Sequence, residues 1–277
     1  GTLYVARFGD DGKGRWLALR HGEKYPNGAL STENGFNNQG DVAIRCRQAA
    51  DIAGASKMDR PEWIAVHPKT GEVYVTLTNN SKRGTSEVPG LNAANPRAEN
   101  VFGHIIRWRE RSHDAASTAF EWDVFALAGD PQHPDESKRG TIKGDAYGSP
   151  DGLWFDHSGH LWIQTDVSTS VLNKGDYARL GNNQMLVADP QSGVTQRFLT
   201  GPNGCEITGI TSTPDGRSLF VNIQHPGESA SERSDPANPT AISAWPASQF
   251  PDAVGGRPRS GTLVISRQDG KEITSAK

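Results

Sequence analysis

The chain has 277 residues, enough for one large domain or two small ones. Its net charge of -3 gives no electrostatic basis for binding nucleic acid or an anionic membrane surface. No apolar run approaches the ~18 residues of a membrane-spanning helix, and 31 Gly with 17 Pro suit many turns between short strands.

Gly1-Thr-Leu-Tyr-Val-Ala-Arg-Phe opens the chain directly in a strand, without Met or a signal peptide. It reads as a fragment or a processed product. Leu3-Tyr-Val-Ala-Arg-Phe, the turn residues Asp10-Asp-Gly-Lys-Gly and Arg15-Trp-Leu-Ala-Leu form one strand pair. Asp41-Val-Ala-Ile-Arg-Cys-Arg-Gln-Ala-Ala-Asp-Ile-Ala has apolar residues at helical spacing and Gly54 after it, which predicts a helix.

A repeat follows, in which an acidic residue precedes a strand, a polar turn with Gly and a second strand. The copies are Arg60-Pro-Glu62-Trp-Ile-Ala-Val, Ser149-Pro-Asp151-Gly-Leu-Trp-Phe and Gly204-Cys-Glu206-Ile-Thr-Gly-Ile, with turn glycines Gly71, Gly159 and Gly216. Two more strands extend each copy. They are His104-Ile-Ile-Arg-Trp-Arg with Phe120-Glu-Trp-Asp-Val-Phe-Ala-Leu, Asn183-Gln-Met-Leu-Val-Ala-Asp with Thr195-Gln-Arg-Phe-Leu, and Ala241-Ile-Ser-Ala-Trp with Thr262-Leu-Val-Ile-Ser-Arg. Four short strands make the blade of a β-propeller. The expected fold is all-β, about three and a half blades with one short helix in an insert. The expected divisions are a half-blade over 1–22, the helical insert over 23–57 and blades over 58–130, 145–201 and 202–277. An open half-propeller leaves a sheet edge bare, so the expected partner is a missing set of blades or a second copy of the chain. Residues 79–100 and 131–148 read as long polar loops of the kind that carry function. Residues 227–239 read as mobile.

The repeated acids Glu62, Asp151 and Glu206 fall at equivalent places, at the mouth of the expected channel. Carboxylates pushed together repel and raise one another's pKa unless a cation neutralises them. Hard oxygen ligands suit Ca²⁺, Mg²⁺, Mn²⁺ or a ferric ion. Alternatively each acid pins a turn through backbone N–H groups; the repetition favours a metal. Arg60 stands two residues before Glu62 and suits bidentate contact with phosphate. Beside metal-binding acids it would hold the charge that grows on phosphoryl oxygens. Its structural alternative is a pair with Asp59 or Glu62.

Other residues carry weaker signals. Asp166 reads as an Asx turn ahead of an extension of the metal site. Asn79, Asn80, Glu99 and Asn100 offer oxygens to Ca²⁺, as an ordinary polar loop also would; Asn100 is kept as a candidate ligand. His104 and His225, near strand ends, read as structural. Trp63, Trp154 and Trp162 read as core. Cys46 and Cys205 lack a metal-binding spacing and read either as a disulfide or as two inert thiols. No G-x-S-x-G, Walker A, G-x-G-x-x-G or H-E-x-x-H sequence occurs, which excludes the corresponding hydrolase, NTPase, dehydrogenase and zincin readings.

Met58-Asp-Arg-Pro-Glu-Trp-Ile-Ala-Val, Arg97-Ala-Glu-Asn-Val-Phe-Gly-His-Ile, Gly148-Ser-Pro-Asp-Gly-Leu-Trp-Phe, Ile163-Gln-Thr-Asp and Gly204-Cys-Glu-Ile-Thr-Gly together resemble the C-terminal half of the PhoX-type bacterial alkaline phosphatases. The resemblance runs over nearly the whole chain. It implies half of a six-bladed propeller, exported by the twin-arginine route and hence periplasmic or secreted. It implies hydrolysis of phosphomonoesters with an Fe³⁺ and Ca²⁺ cluster in the channel. Arg60 would contact phosphate, Glu62 and Asp151 would be metal ligands, and Glu206 a further ligand. In that family a Cys and another acid come from the N-terminal half. Neither Cys46 nor Cys205 lies in that motif, so the chain alone is expected to hold an incomplete cluster. Two alternatives stay open: a calcium propeller of the gluconolactonase or strictosidine-synthase type, and a non-enzymatic propeller that serves as a binding module. The former leaves Arg60 and Glu99-Asn-Val-Phe-Gly-His without a role.

Overall fold

The computed structural model describes residues 1–86, 89–228, 235–250 and 256–274. The chain is mostly β. Strands β1 (Tyr4–Phe8) and β2 (Lys13–Ala18) form a hairpin, and β3 (Lys24–Tyr25) and β4 (Gly28–Ala29) form a minimal one. Helices α1 (Gln39–Ile44) and α2 (Cys46–Ala53) follow. The single helix expected over this stretch is broken at Arg45, whose backbone (φ -99°, ψ 43°) leaves helical geometry. Asn38 caps α1 by accepting from the Asp41 N–H, and Gly54 ends α2 in left-handed backbone.

Three antiparallel sheets carry the repeat. The first contains β5 (Pro61–Val66), β6 (Val73–Leu77), β7 (His104–Glu110) and β8 (Ala119–Leu127). After β9 (Lys143–Gly144) comes the second, with β10 (Pro150–Phe155), β11 (Leu161–Thr165), β12 (Gln184–Ala188) and β13 (Val194–Thr200); β9 pairs in parallel with β13. The third holds β14 (Glu206–Ser212), β15 (Ser218–Gln224) and β16 (Gly261–Ser266). Within each sheet consecutive strands pair with their neighbours, so the acid-bearing strand is always an edge. Strand β10 lies in the middle, against β5 and β6 on one side and β14 on the other.

Apolar residues cement the sheets to one another. Tyr74, Ile105, Leu153, Phe155 and Ile163 form a core shared by the first two sheets, and Trp162, Met185, Ile207, Val221 and Ile223 one shared by the last two. Burial of such side chains at ~25 cal/mol per Å² is the main favourable contribution to the fold.

Three sequence expectations are corrected. The hairpin β1–β2 extends the first sheet through β2–β8 pairing, with Gly14 opposite Phe120 and Arg15 opposite Ala119. Phe8 and Trp16 pack there in edge-to-face and tilted contacts with Trp108, Phe120 and Trp122, which fixes the hairpin to that edge. Ala241-Ile-Ser-Ala-Trp is no strand; β16 takes the free edge of β15, and Trp245 instead enters the core beneath it. Trp162 is buried and Trp154 packs against the core shared by the last two sheets, but Trp63 is 42% exposed, because it enters none of the apolar clusters among the described residues. Of the stretch expected to be mobile, residues 229–234 lie outside the described residues.

The described residues of the long loop over 79–100 are folded onto a buried anion. The Asp59 carboxylate accepts from Arg83 Nε (2.7 Å), Asn80 Nδ2 (3.0 Å) and Asn100 Nδ2 (3.0 Å). Arg83 also donates to the Pro89 and Lys57 carbonyls. Asn100 Oδ1 accepts from Arg97 Nη2 and from the Gly103 N–H. The Arg97 fork continues to the Ala128 and Gly103 carbonyls. His104 completes the group. Its Nε2–H donates to the Ala94 carbonyl, and Nδ1 accepts from Asn100, which requires the neutral ring. Burial, the largest cause, pushes its pKa down to about 4.

Two outcomes follow. Asp59→Ala leaves the Arg83 guanidinium buried without its counter-charge and is expected to cost about 3–5 kcal/mol, measured by urea unfolding. His104 stays neutral in the fold but binds a proton in the unfolded chain below its ordinary value near 6.5. Stability is therefore expected to fall as pH drops from about 6.5 towards 4, by on the order of 3 kcal/mol from this residue. His104→Gln should flatten that part of the stability-pH curve.

Candidate active site

Each acid is introduced by the same backbone device. The residue two positions before it adopts left-handed backbone: Arg60 (φ 52°), Ser149 (φ 50°) and Gly204 (φ 65°). The carbonyl of that residue is caught by an N–H from across the hairpin, that of Thr78 (3.1 Å), Asp166 (3.0 Å) and Glu228 (3.2 Å) respectively. A register shift follows in each strand, between Pro61 and Ile64, Pro150 and Leu153, and Thr208 and Ile210. Such bulges turn a strand and re-aim its side chains. In β10 the bulge contains Gly152, whose missing side chain leaves room for Gln164 Oε1; a methyl group would overlap that atom.

Because β5, β10 and β14 adjoin, their starts converge. Carboxylate oxygens of Asp151, Asp166 and Glu206 lie within 4.8 Å of one another, all three half-buried. Glu62 stands outside this trio, close enough for its charge to act on Asp151. Burial and then the charges of Glu206, Glu62 and Asp166 push the Asp151 pKa up to about 7, with Arg60 opposing. Burial also raises Asp166 and Glu206; Arg60 opposes at the former and His225 at the latter. Carboxylates so arranged make a site that favours a cation, of a kind that takes oxygen ligands.

Arg60 lies at the rim, its side chain 54% exposed. Nη2 is 3.4 Å from Glu62 Oε1, the pair foreseen as its structural alternative, and Nη1 donates to Asn79 Oδ1. Glu206 is held by Gln224 Nε2 (3.1 Å) and lies 3.4 Å from His225 Nε2.

The structure thus gathers Asp151 and Glu206, with Glu62 and Arg60 beside them. Asn100 is different: its amide is occupied on both sides inside the Asp59 network, and it offers no free oxygen to a metal. In the sequence an oxygen-bearing loop residue looks the same whether its side chain turns inward or outward. Asp166, read as a turn residue, does close a turn through its N–H, yet its carboxylate joins the cluster. The signal was its place at the far end of the hairpin from Asp151. His225 gains a part by the same token, at the far end from Glu206. Cys46 and Cys205 are free thiols rather than a disulfide, and burial pushes Cys205 up to about 12, which keeps it protonated.

The family model for alkaline phosphatase PhoX matches residues 1–227. Pseudomonas fluorescens PhoX, solved in complex with vanadate, a transition state analogue, matches with a TM-score of 0.84 at 46% identity, over 99% of this chain and 45% of that one. A gluconolactonase from Xanthomonas campestris matches at 15% identity and a TM-score of 0.29, over 62% of this chain and 57% of that one; this is too low to bear on the fold. No curated protein matches. The chain spans under half the length of the Pseudomonas structure. The motifs, the convergent acids and these matches agree: the chain belongs to the PhoX alkaline phosphatase family.

Proposed function

We propose that this chain contributes one wall of the active site of a metal-dependent phosphomonoesterase. The observation that carries the reading is the Asp151–Asp166–Glu206 carboxylate cluster with the Arg60 guanidinium at its edge. Membership of the PhoX family supports it.

The donor set fits hard cations. It consists of carboxylate oxygens, and the buried thiol of Cys205 is protonated. Asp151, Asp166 and Glu206 would hold the metal, with Glu62 as a further ligand; Ca²⁺ and Fe³⁺ are the ions the family resemblance supports. Bound there, the ions would polarise a phosphoryl oxygen and stabilise charge on it. Arg60 has donors left over after its bond to Asn79, and these suit a phosphate edge. Gln224 and His225 fix the orientation of the Glu206 carboxylate.

The three sheets are proposed to be blades of a propeller whose channel the acid-bearing strands line. The exposed Ile64 and Val66, two residues apart on β5 and so on one face, support further blades against that face. Family membership also supports an exported protein. No helix among the described residues is long and apolar enough to cross a membrane.

The test uses the complete polypeptide that carries this chain, loaded with Ca²⁺ and Fe³⁺. It is expected to hydrolyse p-nitrophenyl phosphate, and Arg60→Ala is expected to lower kcat/KM by about 100-fold. Absence of turnover in the loaded protein would sink the reading. Calcium is expected to raise the thermal midpoint, by an amount equivalent to ~2.7 kcal/mol at 100 times its Kd. Asp151→Asn, which removes a ligand charge, and Gly152→Ala, which displaces the bulge, should each diminish that rise in scanning calorimetry.

A further inference from the structure

An unbroken line of hydrogen bonds runs from Arg60 on the first sheet into the interior beside the second. Arg60 Nη1 donates to Asn79 Oδ1 (3.1 Å), and Asn79 Nδ2 donates to Ser149 Oγ (3.2 Å). Ser149 Oγ lies 2.7 Å from Tyr177 Oη, which lies 2.6 Å from the Val101 carbonyl oxygen. The proton positions along this line are fixed by chemistry. A carbonyl only accepts, so the Tyr177 proton points at Val101. Ser149 must then donate to Tyr177, which leaves its lone pairs to accept from Asn79. A guanidinium only donates, so the Asn79 oxygen faces Arg60. Every bond is therefore polarised in the same sense, and each strengthens the next.

The inner half of the line is rigid. Ser149 and Tyr177 are buried, and the Tyr177 ring packs on Phe102 with centroids 4.9 Å apart. The backbone of Ser149 is pinned on both sides, its N–H to the Phe102 carbonyl and its own carbonyl to the Asp166 N–H. The outer end is the opposite: Arg60 is a long, mostly exposed side chain whose other anchor, Glu62, is a looser contact at 3.4 Å.

We propose that Asn79, Ser149 and Tyr177 form a relay that positions the Arg60 guanidinium for the phosphoryl group. This rests on the reading of Arg60 given under the proposed function. The three are positioning residues; they reach the substrate only through Arg60. Holding an exposed arginine in place before phosphate arrives removes an ordering cost from binding. The relay also couples the two sheets, since Ser149 stands two residues before Asp151. The guanidinium is thereby indexed to the strand that carries a central carboxylate.

The experiment is a double-mutant cycle in the complete, metal-loaded polypeptide. Tyr177→Phe keeps the ring and deletes the hydroxyl at the inner end; Asn79→Ala cuts the relay at its half-buried outer end. Each is made with Arg60 intact and with Arg60→Ala. Two quantities are measured: kcat/KM on p-nitrophenyl phosphate and the Kd of inorganic phosphate by calorimetry. With Arg60 intact, each variant is expected to weaken both about tenfold. In the Arg60→Ala background neither should have a further effect, because the residue they act through is gone. Losses of equal size in both backgrounds would show a general structural role and overturn the relay, as would unchanged values with Arg60 intact. If Tyr177→Phe does not fold, the Asn79→Ala arm decides alone. An Arg60→Ala protein with undiminished turnover and phosphate binding removes the reading of Arg60 and the relay with it. Additive losses beside a damaging Arg60→Ala remove the relay only.

Discussion

The left-handed turn before each acid-bearing strand is the constraint on which the site depends. Two of its three positions are not glycine, and an L-residue there costs about 1 kcal/mol or more. Tertiary contacts offset that cost. Arg60 follows Asp59, whose carboxylate is clamped by Arg83, Asn80 and Asn100, and the Ser149 hydroxyl and N–H are both engaged. The turn sends the chain into its strand with the acid near the shared end of the sheets. The N–H that closes it comes from the far side of the hairpin. In the second copy that N–H belongs to Asp166, so the bond that shapes the turn also brings a further carboxylate to the cluster.

Two aspartates show how environment divides structural from functional charge. Asp59 is fully buried, yet its oxygens meet a guanidinium and two amides, so the buried charge is compensated. Asp151 is only half-buried, but its neighbours are Glu206, Glu62 and Asp166, with the Arg60 charge opposing them. The first arrangement is complete within the protein. The second is left short of positive charge, which is the condition a metal or a phosphate-binding centre exploits.

Much of this was legible in the sequence. The period of the repeat gave the hairpins and aligned Glu62, Asp151 and Glu206, because alternating apolar residues and Gly turns are local signals. The site was harder to read. Asn100 and Asp166 both sit in polar segments and look alike as letters, yet one turns inward to Asp59 and the other faces the acids. The difference lies in contacts 41 residues apart in the first case and between two sheets in the second. Trp63 reads as core because tryptophan on a strand usually is; it is exposed because no apolar cluster among the described residues takes it up, whereas Trp154, also on an edge strand, packs into the core shared by the last two sheets.

The sequence by itself determined the β-rich class, the three acid-bearing hairpins and the family, since each depends on short-range patterns and quoted motifs. Tertiary structure alone decided which carboxylates meet, that the β1–β2 hairpin joins the outer edge of the first sheet, and that Arg60 is tied through Asn79 and Ser149 to Tyr177. These are outcomes of packing. Side-chain direction at a bulge, and the partner a strand edge finds, depend on the shape and burial of elements remote in the chain, which no local pattern encodes.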